Sequence, residues 1–319
     1  MTGTDTDLNA TDPMPLYYHA LYRNGISPDA RFPRDRYDLI RQRLTLNSPN
    51  APVRIMDAPE ARLEQIVLAH DDTYARRFLD GEMTEKETRR IGLRPWTDLI
   101  MPRTLHIMGG ALSALQDAHV STGFAANMAG GTHHAHYDWG SGFCVFNDIA
   151  ICARAAQHQL GYTRIAIIDL DVHQGDGTAT ILAHDPCTLT VSIHCESNFP
   201  FRKAVSDIDI ALPIDTRDGD YLIACEHVLR DVDEFEPQLI LFQGGVDGLE
   251  TDRLGRLNLT RNGLKQRNAL VYEYCLTNAL PCVIFMGGGY SEPIDRTIDC
   301  FYDLFAAAAV AHQQRRMGG

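Results

Sequence analysis

The chain has 319 residues, and 45% of them are hydrophobic, which is enough for a sizeable core and excludes a disordered chain. Its formal net charge is −13 at pH 7, which argues against a protein that holds DNA or RNA by the phosphates, because such binding needs a basic surface. A cationic substrate stays possible, since an acidic surface would attract it.

The beginning of the chain and its cysteines indicate where the protein works. Residues 1–15 are polar and acidic, unlike a signal peptide, and no apolar run approaches the length needed to cross a bilayer. The eight cysteines include no C-x-x-C pair, which predicts reduced, buried thiols. We expect a cytoplasmic protein with no membrane span, a flexible tail at residues 1–14 and a single catalytic domain at 15–319. The oligomeric state is left open.

Short apolar runs alternate with longer helical patterns along the chain. The runs lie at 123–127, 165–170, 188–193, 239–242 and 283–286, and the helical patterns at 104–120, 148–160, 221–235, 262–279 and 295–312. Apolar runs without polar alternation are typical of strands that are covered on both faces of a parallel sheet. We expect Asp148 to cap the helix that Gly161 ends. The alternation predicts an α/β fold, with a mainly parallel β-sheet sandwiched by helices in a single domain.

Ligand-type residues follow two of these runs. The stretch D-L-D-V-H-Q-G-D-G at 169–177 places Asp171 and His173 two positions apart, so that both can face one side, and Asp247 follows the run at 239–242. Either stretch alone is as well explained by a surface turn. Together they offer three protein ligands with an open position, which is typical of a catalytic zinc site.

Two adjacent histidines, His133 and His134, follow the run at 123–127. Asp169 and Asp176 are not used as metal ligands, and an aspartate that accepts the Nδ1 proton of a histidine fixes its tautomer and raises its basicity. The sequence therefore allows two His–Asp dyads, one of which would take a proton from water.

Aromatic residues complete the candidate site. Tyr290 closes the run at 283–286 after three glycines and could donate a hydrogen bond to an oxyanion, although a half-buried packing role is common for tyrosine. Gly142, Phe143 and Phe199 could wall an apolar channel, and ordinary core packing is nearly as good an explanation.

In this order, these stretches resemble the histone deacetylase superfamily of zinc amidohydrolases, with its arginase/deacetylase fold, and they look closest to the bacterial, class IV-like branch. The resemblance rests on the stretches Arg31-Phe-Pro-Arg-Asp-Arg-Tyr37, Gly130-Gly-Thr-His-His134, Gly142-Phe-Cys-Val-Phe-Asn-Asp148, residues 169–177, Gly245-Val-Asp247 and Gly287-Gly-Gly-Tyr290.

The resemblance implies a role for each residue of the site. It implies one zinc ion on Asp171, His173 and Asp247, the dyads His133–Asp169 and His134–Asp176 with His134 as general base and acid, Tyr290 at the scissile carbonyl, and a substrate tunnel lined by Gly142, Phe143 and Phe199. It also implies a structural potassium ion near Asp169, Asp171, His173, Ser192 and Ile193. The family's rim aspartate, which grips the substrate backbone, has no clear counterpart in this sequence, and Asp98 is a candidate for it.

The substrate that the resemblance implies is an acylated lysine in a protein or peptide. The likeness of the motifs to the class IV-like branch favours acyl groups longer than acetyl. An acetylpolyamine hydrolase, acting on small acylated amines, is the nearest alternative, but the position of its acidic gate is occupied here by Leu254. A manganese-dependent ureohydrolase is less favoured, since Gly245 stands where a further carboxylate would be needed. A non-catalytic acyl-lysine binding module would not need Tyr290 or the dyads.

Overall fold

In the computed structural model, which describes residues 12–318, one sheet of eight strands runs through the molecule, and every neighbouring pair of strands is parallel. The strands are β1 (Met14–Tyr18), β2 (Val53–Asp57), β3 (Phe124–Asn127), β4 (Ile165–Asp169), β5 (Thr188–Cys195), β6 (Ile208–Leu212), β7 (Leu239–Gln243) and β8 (Cys282–Phe285). Their order across the sheet is β2-β1-β3-β8-β7-β4-β5-β6.

Helices flank this sheet. They are α1 (Leu21–Asn24), α2 (Arg36–Leu46), α3 (Leu63–Ile66), α4 (Asp72–Leu79), α5 (Glu85–Ile91), α6 (Ile100–Ser121), α7 (Asp148–Leu160), α8 (Asp176–Ile181), α9 (Asp218–Glu234), α10 (Arg261–Thr277) and α11 (Asp295–Gly318). Every residue of the central strands β3, β8, β7 and β4 is buried, as expected for strands covered on both faces. The predicted α/β fold class is confirmed, and the predicted domain 15–319 stays a prediction.

All five predicted strands and all five predicted helices are present, with bounds shifted by a few residues. The strands β1, β2 and β6 were not predicted. β2 and β6 form the two edges of the sheet and have partly exposed residues, so that neither forms a continuous apolar run. Met14 is fully buried at the start of β1, which corrects the end of the predicted tail. Residues 1–11 lie outside the described residues.

The N-terminal cap of α7 is Asn147 and not Asp148. The Asn147 side chain accepts a hydrogen bond from the Ala150 N–H at 2.9 Å. Asp148 is instead the first helical residue, and its carboxylate accepts hydrogen bonds from the backbone N–H groups of Gly131 and Thr132. The loop after β3 is thereby fixed to the start of α7.

Two other features of the fold bear on the sequence predictions. The eight cysteines are all free, and seven of them are buried, in agreement with the predicted reduced thiols. No helix within residues 12–318 combines the length and the hydropathy that a bilayer crossing requires.

Candidate metal centre and active site

The polar residues singled out in the sequence share one location: they lie at or just after the carboxyl ends of β3, β8, β7 and β4, which are neighbours in the sheet. They are His133, His134, Asp169, Asp171, His173, Asp176, Asp247 and Tyr290. Parallel strands end at the same edge of a sheet, where binding sites of such folds form. Six of the eight line one cavity, and the other two, Asp169 and Asp176, hydrogen bond to histidines that line it.

Asp171, His173 and Asp247 converge on one point. Each offers a ligand atom within 4.8 Å of the other two, and no other group of three such side chains within residues 12–318 could hold a metal ion. His173 Nδ1 lies 3.0 Å from Asp171 Oδ1 and 3.1 Å from Asp247 Oδ2. The two aspartates are 1% and 0% exposed, so their charges are removed from water.

The electrostatics of this group fit a bound cation. Burial, together with repulsion from Asp171, raises the pKa of Asp247 to about 7. Burial alone would lower the pKa of His173, but the hydrogen bonds and charges of the two carboxylates outweigh it and raise this pKa to about 10. The proton on His173 partly neutralises the two carboxylates. A divalent ion bound between the same groups would neutralise them in its place.

The surroundings of Asp171 leave no space for another carboxylate. Its Oδ2 accepts hydrogen bonds from Gln243 Nε2 at 2.9 Å and from the Gly288 N–H at 2.8 Å. A Cβ atom added at Gly245 would collide with this oxygen. Gly245 is therefore required by close packing, and an acidic residue there, as a second metal would need, does not fit this backbone.

The structure brings the residues of both expected dyads together. His133 Nδ1 lies 2.7 Å from Asp169 Oδ2, and His134 Nδ1 lies 2.6 Å from Asp176 Oδ1. A carboxylate can only accept, so each Nδ1 carries the proton and donates it. When such a ring is neutral, its Nε2 atom is left as the acceptor.

The two histidines differ in their pKa values. Burial and the nearby His133 lower the pKa of His134 to about 4, so that its ring is neutral at neutral pH. Burial would also lower the pKa of His133, but the charges of Asp169 and Asp171 outweigh it and raise this pKa to about 9. Of the two, His134 is the ring that is free to accept a proton at neutral pH.

His136 also reaches this network, and the sequence analysis missed it. Its Nε2 lies 3.2 Å from Asp176 Oδ2, so Asp176 interacts with two histidines, and its Nδ1 lies 2.7 Å from the Thr180 hydroxyl. The ring stacks on Trp139 with 3.8 Å between the centroids. His134 and His136 form an H-x-H pattern that is visible in the sequence. The contact of His136 with Asp176, however, depends on how α8 packs against the loop after β3.

Tyr290 is half-buried in the wall of the cavity, and burial raises the pKa of its phenol, which therefore keeps its proton and stays a donor. Asp252, a second residue that sequence reasoning missed, accepts a hydrogen bond from the Tyr290 backbone N–H at 2.6 Å. The same carboxylate accepts from the N–H groups of Leu254 at 2.8 Å and Gly255 at 3.0 Å. It ties the loop after β8 to the loop after β7.

The cavity has a volume of about 500 Å³, and Phe143 and Phe199 both line it. The Phe199 ring stands edge-on to His134, with 4.8 Å between the centroids, and Phe143 lies 6.0 Å from the Tyr290 ring. Gly142 has a φ of +53°, and a Cβ atom there would contact the His134 ring, so only glycine allows this approach. All three predicted tunnel residues therefore border the site.

The inner end of the cavity is lined by two buried arginines, Arg36 and Arg103, each 4% exposed. Arg36 donates to the carbonyl oxygens of Gly287 and Gly289, and the ring of Phe32 lies 4.7 Å from its guanidinium carbon. Carbonyl oxygens and a ring face thus contact this charge directly and stabilise it.

The remaining predicted residues differ in their placement. Leu254 lines the cavity and is 44% exposed, at the outer end. Asp98 is exposed and does not line the cavity, so it is not brought to the rim. Asp169 and Ser192 are paired across β4 and β5. The potassium site near them stays a prediction.

Comparisons with known proteins find a matching family and several similar proteins. The family described as the histone deacetylase domain matches residues 30–303. An uncharacterized protein of Picosynechococcus is 39% identical over 303 residues, which cover 95% of this chain and 98% of that protein. Histone deacetylase 8 of Xenopus tropicalis is 29% identical over 76% of this chain and 69% of its own length. A probable deacetylase of Archaeoglobus fulgidus is 30% identical over 74% of this chain and 69% of its own length.

Proposed function

We propose that this chain, which belongs to the histone deacetylase family, is a zinc-dependent enzyme that removes acyl groups from the ε-amino group of lysine side chains. Family membership and the deacetylase relatives carry the coarser statement, a deacetylase-type amidohydrolase. The finer proposal is supported by one observation: a buried group of metal ligands, a neutral histidine and a phenol all face one cavity.

One zinc ion would be held by Asp171, His173 and Asp247. Two carboxylates and an imidazole are ligands that zinc prefers, and three protein ligands leave a position for water or substrate. The ion would supply Lewis acidity toward water and the amide carbonyl. The collision at Gly245 supports one metal over two, and so disfavours a manganese ureohydrolase.

The residues around this centre are suited to amide hydrolysis. His134, whose ring Asp176 holds through Nδ1, would accept a proton from water at Nε2 and deliver it to the departing amine nitrogen. Tyr290 would donate a hydrogen bond to the amide oxygen as negative charge develops there. Phe143 and Phe199 would hold the uncharged stem of the acylated lysine. A module that only binds acyl-lysine would have no use for the dyads.

Acyl groups longer than acetyl are part of the proposal. The volume of about 500 Å³ falls in the range of pockets that accept whole drug-sized ligands, which leaves room beyond an acetyl group. The buried part of the lining includes Phe32 and Ile107, and each added CH₂ that is buried there contributes about 0.8 kcal/mol of binding.

The experiment is a substrate panel for the zinc-loaded full chain, with acetyl-, butyryl- and myristoyl-lysine peptides beside acetylated polyamines. We expect hydrolysis of the peptides, with higher kcat/KM for acyl groups longer than acetyl, and one zinc per active chain. Activity on polyamines with none on peptides would contradict the lysine proposal. A clear advantage for acetyl would contradict the chain-length proposal alone, and two metals per active chain would contradict the single-ion centre.

A further inference from the structure

The outer end of the cavity is basic although the whole chain is acidic. Two exposed arginines, Arg90 and Arg256, line it together with Phe201, which is 90% exposed. Within residues 12–318, the only carboxylates that line the cavity are the metal ligands Asp171 and Asp247. Two exposed positive charges therefore lie at the entrance of the cavity, in a protein whose net charge is −13.

Arg90 is held beside the wall that Phe143 forms. Its Nε donates to the Gly140 carbonyl oxygen at 3.1 Å, and its guanidinium carbon lies 4.5 Å from the centre of the Trp139 ring. The next residue, Ile91, accepts a hydrogen bond from the Phe143 N–H at 2.7 Å. Among the described residues, no carboxylate pairs with the Arg90 side chain within 4.0 Å, whereas the preceding Arg89 pairs with Glu85. The terminal nitrogens of Arg90 are therefore available to a ligand.

Arg256 belongs to the Phe199 side of the entrance. Its loop is fixed by the Leu254 carbonyl oxygen, which accepts from Asn198 Nδ2 at 2.5 Å, and by its own carbonyl oxygen, which accepts from the Asp215 N–H at 2.9 Å. Its side chain also lacks a described carboxylate within 4.0 Å, whereas Arg253, in the same loop, pairs with Glu292 at 3.0 Å.

We propose that Arg90 and Arg256 select acyl-lysine substrates that carry acidic residues beside the modified lysine. The proposal rests on the function proposed above. Acylation removes the charge of the lysine, so the stem enters the cavity uncharged and the neighbouring side chains are left at the entrance. Carboxylates there would meet two unpaired guanidinium groups, whereas the free amines of an acetylated polyamine would be repelled by them.

The test compares three peptides with the same acyl-lysine and acidic, neutral or basic neighbours, using the zinc-loaded full chain at low salt. A single exposed charge pair contributes about 0.2–1 kcal/mol, which would change kcat/KM by at most about fivefold. We expect the acidic peptide to be favoured over the basic one by more than this, since two arginines act together, and the preference to shrink at 1 M salt. Arg90→Gln and Arg256→Gln should each reduce the ratio, and the double variant should bring it close to one.

Arg253→Gln is the matched control, because it removes the same charge from the same loop but from a side chain that is already paired and does not line the cavity. It should keep the wild-type ratio. Hydrolysis of the neutral peptide without any preference between the charged ones would overturn this inference and leave the proposed function intact. A preference that survives in the double variant would also overturn it. Failure to hydrolyse any of the three peptides would overturn the proposed function and this inference with it.

Discussion

Replacing Tyr290 with phenylalanine isolates one hydroxyl group. The ring keeps its neighbours, Phe32 at 6.1 Å and Phe143 at 6.0 Å between centroids, and the backbone N–H keeps its bond to Asp252. Within residues 12–318 the hydroxyl makes no hydrogen bond, so its removal leaves no protein group unsatisfied. We expect the free energy of unfolding to change by less than about 0.5 kcal/mol.

Turnover should change far more. A single donor to a developing oxyanion is worth about 2.7–4 kcal/mol, which is about 100- to 1000-fold in kcat. Because the interaction is made mainly in the transition state, kcat and kcat/KM should fall together while KM changes little. The assay is steady-state hydrolysis of an acyl-lysine peptide, with zinc content measured on the same samples.

Tyr272→Phe is the matched control. The Tyr272 hydroxyl is buried and donates to the Leu304 carbonyl oxygen at 3.1 Å, outside the cavity. Its loss should cost about 1 kcal/mol of stability, measured by urea unfolding, with normal turnover. Turnover of Tyr290→Phe within threefold of wild type, with zinc bound, would refute the role as donor and leave Tyr290 as a wall of the cavity.

Three further predictions concern the metal and the fold. Asp171→Ala should lower the zinc content to background and abolish turnover; an active variant with bound zinc would contradict the ligand set. Zinc affinity should fall as pH falls from 8 to 6, because protons on His173 and Asp247 compete with the metal. The decrease should be up to about tenfold per pH unit for each proton displaced. A chelator competition that gives the same affinity at both pH values would contradict this. Asn147→Ala should destabilise the fold by about 2–4 kcal/mol, since it removes a cap and leaves buried polar groups unpaired. The exposed cap Thr84→Ala should cost only about 1 kcal/mol in the same urea unfolding, and equal losses would show that burial of the Asn147 network contributes nothing.

The central strands could be predicted because each is a continuous apolar run, and because ligand-type residues follow directly after β4 and β7. The edge strands could not, since β2 and β6 expose part of their residues and lack that pattern. The N-cap of α7 shows a finer limit. Asn147 and Asp148 are both good caps, and the choice is made by the loop at 131–132, whose N–H groups engage Asp148. A contact from another part of the chain thus overrides a local preference.

The metal ligands could be predicted, but the residues that position the site could not. Asp252 acts on the N–H of Tyr290, 38 positions along the chain, and Arg36 reaches the carbonyl oxygen of Gly289 across 253 positions. Neither contact has a sequence signature, because it depends on how loops from separate strands meet. The two arginines at the entrance could not be predicted for the same reason: Arg90, in α5, and Arg256, in the loop after β7, line one cavity only in the folded chain.

The position of Asp171 links the metal centre to the proposed oxyanion donor. Its Oδ1 faces His173, and its Oδ2 accepts the N–H of Gly288, two residues before Tyr290. Asp171→Ala therefore removes a metal ligand. It also removes the hydrogen bond that holds the Gly288 N–H, and with it the turn that leads to Tyr290. Loss of turnover in that variant has two physical causes, which activity alone does not separate. Tyr290→Phe leaves every contact of Asp171 in place, so a fall in its turnover with zinc retained can be assigned to the hydroxyl group.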